Sequence, residues 1–412
     1  MNIKARLSFS FATALLAAAV TPAAHAQTWE QLLPSNDFAP YSGGYANVLI
    51  DPVSDVPANP GVFVGHTRGS GTASLYRLAS DSFAAEPVDN GLESVRRLGY
   101  SAYDGTPYGT LYAVGYGTEN RASVWRVRKS EAGGDPNTWN EDGPSFSLKK
   151  GAASIATGVT ADTDGNAYAC GRASDGRAPH WIVRRKTPQD VWITVLDVKG
   201  TGDTTANGIC FFPAKGNNPA NAVFAVGNLN DKWTVLRSQN QGAVGTWQFV
   251  DSWSPDSKTS AAATDAACDS AGNIYVVGYR GAWESPKGWV VRMSSQGGAP
   301  GSWTTVLDAS EGTASWASAL TVDGGDNLWF SGMTLNASGI PRWTVLRHNS
   351  SQSWADSWAA RQRPFGDSTS SKGRGIAADD FGHVFAAGEL GIGAASPTYL
   401  GLLRLVPPQP VQ

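Results

Sequence analysis

Seven short apolar segments of the sequence each end in a glycine, and the residue directly after six of these glycines carries a polar group. The residues in this position are His66, Tyr116, Arg172, Asn228, Tyr279, Met333 and Glu389. The loops that follow add Arg68, Asp231, Arg280 and Trp283. Guanidinium groups bind carboxylates or sulfates through paired hydrogen bonds, and an indole ring can stack on a sugar. These residue types indicate a binding site for an acidic glycan.

Two kinds of glycan-degrading chemistry need the same residue types. A uronate lyase needs a base and a cation that neutralises the sugar carboxylate, and the candidates are His66, Tyr116, Tyr279 and Arg172. A glycosidase needs two carboxylates that flank the scissile bond, and the candidate pairs are Glu389 with Asp231, Asp203 or Asp367. Neither set has a diagnostic spacing along the chain, so recognition without turnover and both enzymatic activities stay open.

Several other classes of function lack support in the sequence. It contains no G-x-S-x-G, H-E-x-x-H, G-x-x-x-x-G-K-[ST] or C-x-x-C motif, which are typical of serine hydrolases, zinc proteases, P-loop proteins and thioredoxins. The formal net charge of −3 is far from the basic surface that nucleic-acid binding requires. We expect no metal, no cofactor and no nucleic-acid partner.

The first 26 residues have the parts of a secretory signal. Lys4 and Arg6 precede an apolar run, and Ala24-His25-Ala26 forms a cleavage site before Gln27. The apolar run is shorter than the roughly 20 residues that span a bilayer. We expect cleavage after Ala26, a periplasmic or secreted protein without a membrane span, and a single mature domain over residues 27–412. The three cysteines, Cys170, Cys210 and Cys268, fall in apolar segments and are expected to be buried and structural.

The seven glycines recur at a nearly constant period. They are Gly65, Gly115, Gly171, Gly227, Gly278, Gly332 and Gly388, with successive spacings between 50 and 56 residues. Each unit has room for four short strands, which is the make-up of a propeller blade. The segment before each glycine is apolar on both alternating sets of positions, as in Ile274–Val277, which is typical of a strand buried on both faces. The period therefore predicts an all-β, seven-bladed propeller.

A tryptophan marks the start of one predicted strand in most units. The tryptophans in this role are Trp139, Trp192, Trp247, Trp303 and Trp354. The seventh unit ends without such a strand, whereas Trp29 begins a strand-like segment at the other end of the mature chain. We therefore predict that the N-terminal strand completes the last blade and closes the ring, so that no sheet edge stays open.

The turn before many of the glycine-ending segments carries Asp and Gly at fixed places, as in "DSAGN" at 269–273 and "DTDGN" at 162–166. These residues favour a hairpin turn between the innermost strand of a blade and the next one. At these residues the chain resembles bacterial secreted β-propeller repeat proteins of the SBBP type, with their D-x-x-G-N-x-Y-V-x-G signature. The segments 294–303, 238–247 and 130–139 also resemble the Asp-box turn of sialidase-like propellers, in a degenerate form without its aspartate.

Propellers commonly bind ligands at one mouth of the central tunnel. We therefore expect an exported recognition propeller that binds an acidic glycan, or another extracytoplasmic ligand, on the face of the loops after the glycines. The alternatives are a polysaccharide-degrading enzyme on the same face and a protein-interaction scaffold. The scaffold would present an exposed aromatic patch, with Trp283, Trp316 and Trp358 as candidates. We expect the protein to be a monomer.

Overall fold

A computed structural model describes residues 28–33, 45–52, 60–67, 74–80, 82–102, 105–187, 190–365, 369–391 and 398–406. The expected signal peptide lies outside these ranges, as do two of the candidate site residues, Arg68 and Asp367. Within the described ranges, no helix is long and apolar enough to cross a bilayer.

Seven small antiparallel sheets, which we number as blades 1 to 7, follow one another along the chain after an N-terminal strand, β1 (Thr28–Leu33). Blade 1 contains β2 (Ala46–Ile50), β3 (Val62–His66), β4 (Leu75–Leu78) and β5 (Ala85–Asp89). Blade 2 contains β6 (Ser94–Ser101), β7 (Thr110–Glu119), β8 (Ala122–Ser130) and β9 (Asn140–Glu141). Blade 3 contains β10 (Ser154–Ala161), β11 (Ala167–Ser174), β12 (Pro179–Lys186) and β13 (Trp192–Lys199).

The remaining blades repeat this order. Blade 4 contains β14 (Thr204–Phe212), β15 (Ala222–Leu229), β16 (Lys232–Ser238) and β17 (Gln248–Trp253). Blade 5 contains β18 (Ala261–Cys268), β19 (Ile274–Arg280), β20 (Gly288–Ser294) and β21 (Trp303–Ala309). Blade 6 contains β22 (Ser315–Val322), β23 (Leu328–Leu335), β24 (Pro341–His348) and a short helix, α1 (Trp354–Ala359). Blade 7 contains β25 (Ser370–Ala378), β26 (Val384–Gly391) and β27 (Thr398–Val406), and its first strands pack against β2 of blade 1.

The predicted closure of the ring is confirmed. Strand β1 pairs antiparallel with β27, with Trp29 opposite Leu405, and so becomes the outer strand of blade 7. The Glu30 carboxylate lies 2.6 Å from the Arg404 guanidinium across this pair of strands. The two ends of the described chain therefore meet in one sheet, as the missing strand of the seventh unit predicted.

Blade 6 departs from the prediction, because Trp354 begins a helix and not a strand. Ser353 caps the helix, since its hydroxyl accepts a hydrogen bond from the Asp356 backbone N–H at 3.1 Å. Trp354 and Trp358 are four residues apart and thus share one helix face. That face packs on the blade, where Trp354 contacts Phe330 and Trp358 contacts Trp289. The helix covers apolar surface that an outer strand covers in the other blades.

The packing between neighbouring blades explains why a glycine recurs at this position. A Cβ at Gly278 would overlap the Ala262 carbonyl oxygen of its own blade and would lie 2.8 Å from the Trp233 ring of blade 4. The same relation holds between Gly332 and Trp289, and between Gly388 and Trp343. Both rings, like that of Trp233, are fully buried. Each such glycine makes room for a tryptophan of the preceding blade, and the pair fastens neighbouring blades together.

The D-x-x-G-N segments form the predicted turns between the first and second strands of a blade. In the turn at 269–273, the Asp269 carboxylate accepts hydrogen bonds from the Asn273 backbone N–H at 2.8 Å and from the Asn273 side-chain amide at 2.7 Å. Gly272 adopts a φ of +80°, a conformation that favours glycine. Asp162 and Asn166 repeat these contacts in blade 3. The aspartate and asparagine therefore have a structural role, because they hold the turn between the first and second strands of the blade in place.

Candidate functional site

Six of the seven innermost strands carry a β-bulge at the same place. The strand registers shift by one residue within β6, β10, β14, β18, β22 and β25. The extra residues are Arg96, Thr157, Asn207, Thr264, Ser318 and Arg374. All six line a cavity at the end of the tunnel where Arg172, Asn228 and Tyr279 follow their glycines. Bulges commonly redirect a side chain in this way, and here they direct polar groups toward the propeller axis.

The four shorter bulge residues connect neighbouring blades. Asn207 of blade 4 donates to the Ala263 carbonyl of blade 5 at 2.8 Å, and Thr264 of blade 5 donates to Ala317 of blade 6 at 3.1 Å. Thr157 and Ser318 make the matching bonds to Ala206 and Gly373. Blades 3 to 7 are thereby joined around the axis. The two arginines in this position have longer side chains and extend into the cavity instead.

The cavity at this end, which we name the upper chamber, has a volume of about 510 Å³. All seven blades contribute to its wall. A concave space of this size with aromatic walls and a few charged groups is typical of a small-ligand site. The loop after Gly227 contributes Asp231 to its wall, and the loop after Gly278 contributes residues 281–284. The expected face of the propeller therefore carries a cavity.

An ion pair across the axis forms the floor of the upper chamber. In blade 2 the residue after the bulge is Arg97, and in blade 5 it is Asp265. In blades 3, 4, 6 and 7 this residue is small: Gly158, Gly208, Ala319 and Gly375. The Arg97 and Asp265 side chains form a salt bridge, and Asp265 also accepts a hydrogen bond from the Leu320 backbone N–H at 3.1 Å. Below this pair lies a second cavity of about 700 Å³, the lower chamber, which shares Asn47 and Arg97 with the upper one.

A continuous series of aromatic rings and guanidinium groups runs along one side of the upper chamber, and all of its members except Tyr116 line the wall. We name it the aromatic–cation arc, and its members, from blade 5 through blades 6, 7 and 1 to blade 2, are Tyr279, Trp283, Trp316, Arg374, Tyr45, Arg96 and Tyr116. Successive ring centroids or guanidinium carbons lie 6.2, 6.3, 5.5, 5.8, 3.2 and 5.4 Å apart. Such contacts hold flat cations against ring faces. The arc therefore offers flat surfaces and positive charge side by side.

The opposite side of the upper chamber, in blades 3 and 4, is polar, and we name it the polar arc. It contains Arg172, Asp203, Asn207, Asn228 and Asp231. The Asn228 amide donates to the Asp203 carboxylate at 2.9 Å, and the Asp231 backbone N–H donates to the Asp203 carbonyl at 2.9 Å. Neither carboxylate has an ion pair with a described residue. In a ring of seven blades, these aspartates of blade 4 lie across the axis from Tyr45 at the start of blade 1.

The charged groups of the aromatic–cation arc differ in how they are neutralised. The Arg374 guanidinium lies 2.6 Å from the Glu389 carboxylate, which also lies 3.7 Å from Lys372. Arg96 has no carboxylate within ion-pairing distance among the described residues. Burial lowers the pKa of the Arg96 guanidinium, and the hydroxyls of Tyr45 and Tyr116 oppose this effect. Burial, followed in size by the Asp203 charge, raises the pKa of Tyr279.

The structure brings four of the nine candidate site residues into the wall of the upper chamber. These are Arg172, Asp231, Tyr279 and Trp283. Tyr116 and Glu389 lie behind the wall, where they contact Arg96 and Arg374 respectively. Arg280 points away from the chamber wall and pairs with Asp308 at 2.7 Å. His66 is buried and stacked on Tyr76, and burial lowers its pKa. Arg68 lies outside the described residues.

Three residues of the aromatic–cation arc were not among the sequence candidates: Tyr45, Arg96 and Arg374. Alignment of the innermost strands would have found the two arginines, because they occupy the position of Thr157, Asn207, Thr264 and Ser318 in the other copies. The aromatic patch expected of a scaffold does not form as a unit. Trp283 and Trp316 touch each other in the upper chamber, whereas Trp358 packs on Trp289 under helix α1.

Comparison with known proteins identifies the fold and leaves the family open. No protein-family model and no curated protein matches the sequence. Among solved structures, the chain is similar to the polysaccharide lyase Uly1, with a TM-score of 0.51, 13% identity and coverage of 90% of this chain and 91% of that one. It is also similar to a protein of unknown function from Dyadobacter fermentans (TM-score 0.48, 10% identity, coverage 92% and 97%). An α-L-arabinofuranosidase from Fusarium graminearum is a further match (TM-score 0.46, 11% identity, coverage 75% and 92%). At these identities the likeness concerns the propeller fold alone.

Proposed function

We propose that this protein is an exported recognition propeller that binds an acidic glycan in the upper chamber. The observation that carries the proposal is the aromatic–cation arc, in which Trp283 and Trp316 lie beside Arg374 and Arg96 within one cavity. Sugars present apolar ring faces and, when acidic, a carboxylate or sulfate. Aromatic rings and guanidinium groups complement these two features. The arc therefore matches both parts of an acidic sugar at once.

Recognition without turnover fits the wall better than the two enzymatic alternatives. A lyase base must accept a proton, but the raised pKa of Tyr279 disfavours its phenolate, and His66 is buried outside the chamber wall. A glycosidase pair that included Glu389 would need its carboxylate at the substrate. Glu389 instead lies behind the wall in ion pairs with Arg374 and Lys372.

The proposed export rests on the signal-like residues 1–26. It can be checked separately from the binding function by sequencing the N-terminus of the protein recovered from the periplasm and from the culture medium of the expressing bacterium. We expect Gln27 as the first residue. A chain that keeps Met1 and stays with the cytoplasmic fraction would contradict export.

Calorimetric titration with a panel of oligosaccharides tests the binding function. The panel contains oligogalacturonates, alginate oligosaccharides and cello-oligosaccharides of matched length, and mass spectrometry follows each mixture for new products. We expect binding of acidic members, weaker or undetectable binding of neutral ones, and no products. Equal binding of neutral members, or no binding at all, would contradict the proposal. Fragments that have gained water would instead indicate a hydrolase, and unsaturated fragments a lyase.

A further inference from the structure

We infer that Arg96 is the anion subsite of the upper chamber, and that a bound uronic acid is oriented with its carboxylate on Arg96 and its hydroxyl groups toward Asp203 and Asp231. This inference rests on the proposed function and deepens it, because it assigns the residue that distinguishes an acidic sugar from a neutral one. It also predicts which way round the sugar lies.

The groups around Arg96 hold its guanidinium in place but do not neutralise its charge, so the charge is available to a ligand. Its guanidinium carbon lies 3.2 Å from the centre of the Tyr45 ring and 5.4 Å from that of Tyr116, so aromatic rings hold it in place. Its Nε is buried and has no hydrogen-bond partner in the part of the chain that the structure describes. No described carboxylate lies within ion-pairing distance. A guanidinium that is held by rings and lacks a carboxylate is prepared for a planar, bidentate anion.

The other arginines of the upper chamber are already neutralised or more exposed. Arg97 is paired with Asp265, and Arg374 is paired with Glu389. Arg172 has no ion pair but is exposed to solvent, which weakens its attraction for an anion. Arg96 alone combines partial burial with a missing carboxylate partner among the described arginines of this wall. Of these arginines, Arg96 is therefore expected to attract the carboxylate of a ligand most strongly.

The polar arc fixes the opposite end of the sugar. Asp203 and Asp231 of blade 4 lie across the axis from Tyr45 and would repel a carboxylate placed near them. The same two side chains accept hydrogen bonds from hydroxyl groups, which a sugar ring carries on its remaining carbons. The two aspartates repel the sugar carboxylate and Arg96 attracts it. The orientation with the carboxylate on Arg96 therefore has the lower energy of the two.

The matched probes for the test are trigalacturonate and its fully methyl-esterified form, in which a methyl group on each carboxyl removes the charge. We would titrate both into the wild-type protein, Arg96→Met, Arg96→Lys, Arg172→Met and the control Arg280→Met, whose arginine lies outside the chamber wall. Thermal unfolding would confirm that each variant is folded. The wild type is expected to prefer the acid over the ester by about 10-fold or more, as a hydrogen-bonded charge pair would give. Arg96→Met should reduce this preference to about 2-fold or less, with little change in affinity for the ester.

The variants separate the failure of this inference from that of the proposed function. Arg96→Lys should keep part of the preference, because it keeps the charge and loses the planar fork. Arg280→Met should keep all of it, because Arg280 pairs with Asp308 outside the chamber wall. A preference that survives in Arg96→Met, or that is lost in Arg172→Met instead, would overturn the assignment of Arg96 while leaving glycan recognition intact. Absence of binding of both probes to the wild type would overturn the proposed function together with this inference.

Discussion

The upper and lower chambers are formed by the same seven innermost strands, yet they have different chemistry. The upper wall carries the bulge residues, and two of these are arginines that contact Tyr45. The lower wall includes the later parts of the same strands and residues 379–381 of the turn in blade 7, with apolar groups such as Phe211 and Val159. In the lower wall, the Asp379 carboxylate already forms hydrogen bonds with the backbone N–H and the side chain of His383. The difference shows that side chains at the lower end hold turns together, whereas the upper end has charges left for a ligand.

The largest effect is expected at the ion pair between the two chambers. Arg97→Met leaves the buried Asp265 carboxylate without its cation, and breaking a buried pair in this way costs about 3–5 kcal/mol of the free energy of unfolding. Urea unfolding measures the loss. The control is Arg404→Met, which removes the more exposed pair with Glu30 and should cost less than about 1 kcal/mol. Equal losses in the two variants would mean that the floor of the upper chamber is not a buried ion pair.

A smaller effect is expected from the aromatic part of the arc. Trp283→Ala and Trp316→Ala should each weaken the binding of trigalacturonate about 2- to 10-fold, which corresponds to the loss of one aromatic contact. The matched control in the lower chamber is Phe381→Ala, whose ring is 71% exposed and lines the other cavity. Titration calorimetry measures all three. A loss of affinity in Phe381→Ala with none in the tryptophan variants would place the ligand at the other end of the tunnel.

The smallest effect is expected in the polar arc. Asp203→Asn removes a negative charge across the axis from Arg96 and keeps a hydrogen-bonding side chain in contact with Asn228. The affinity for trigalacturonate should rise by about 2-fold, and the affinity for its methyl ester should stay the same. The comparison of the two titrations isolates the charge effect. A fall in affinity for the acid alone would contradict the proposed orientation of the sugar.

The architecture could be predicted from the sequence because each blade repeats the same local requirement. Six of the seven glycines lie against a carbonyl oxygen of their own blade, as Gly278 does with Ala262, and Gly65 lies against the Val95 side chain of the next blade. The spacing of the glycines therefore counts the blades. The missing strand of the last unit and the segment around Trp29 predicted the closure. Helix α1 was not predicted, because Trp354 occupies the sequence position at which a tryptophan begins the outer strand in other blades. The capping pair Ser353 and Asp356 was the available signal for a helix start.

The site could be predicted only in part, because its position depends on bulges that leave no mark within a single strand. Residues after the glycines were expected in the wall, and the structure places Arg172, Asn228 and Tyr279 there. His66 is instead buried and stacked on Tyr76. Arg96 belongs to a strand whose sequence, "SVRRLGYS", does not reveal which arginine faces the chamber and which forms the floor.

A crystal structure of the wild-type protein soaked with trigalacturonate tests the central claim most directly. We expect a sugar in the upper chamber, with its ring against Trp283 or Trp316 and a carboxylate about 2.7–2.9 Å from the Arg96 guanidinium, the usual length of a charged hydrogen bond. Its hydroxyl groups should face Asp203 and Asp231. A sugar in the lower chamber or on the outer rim, or one whose carboxylate faces the polar arc, would contradict the account.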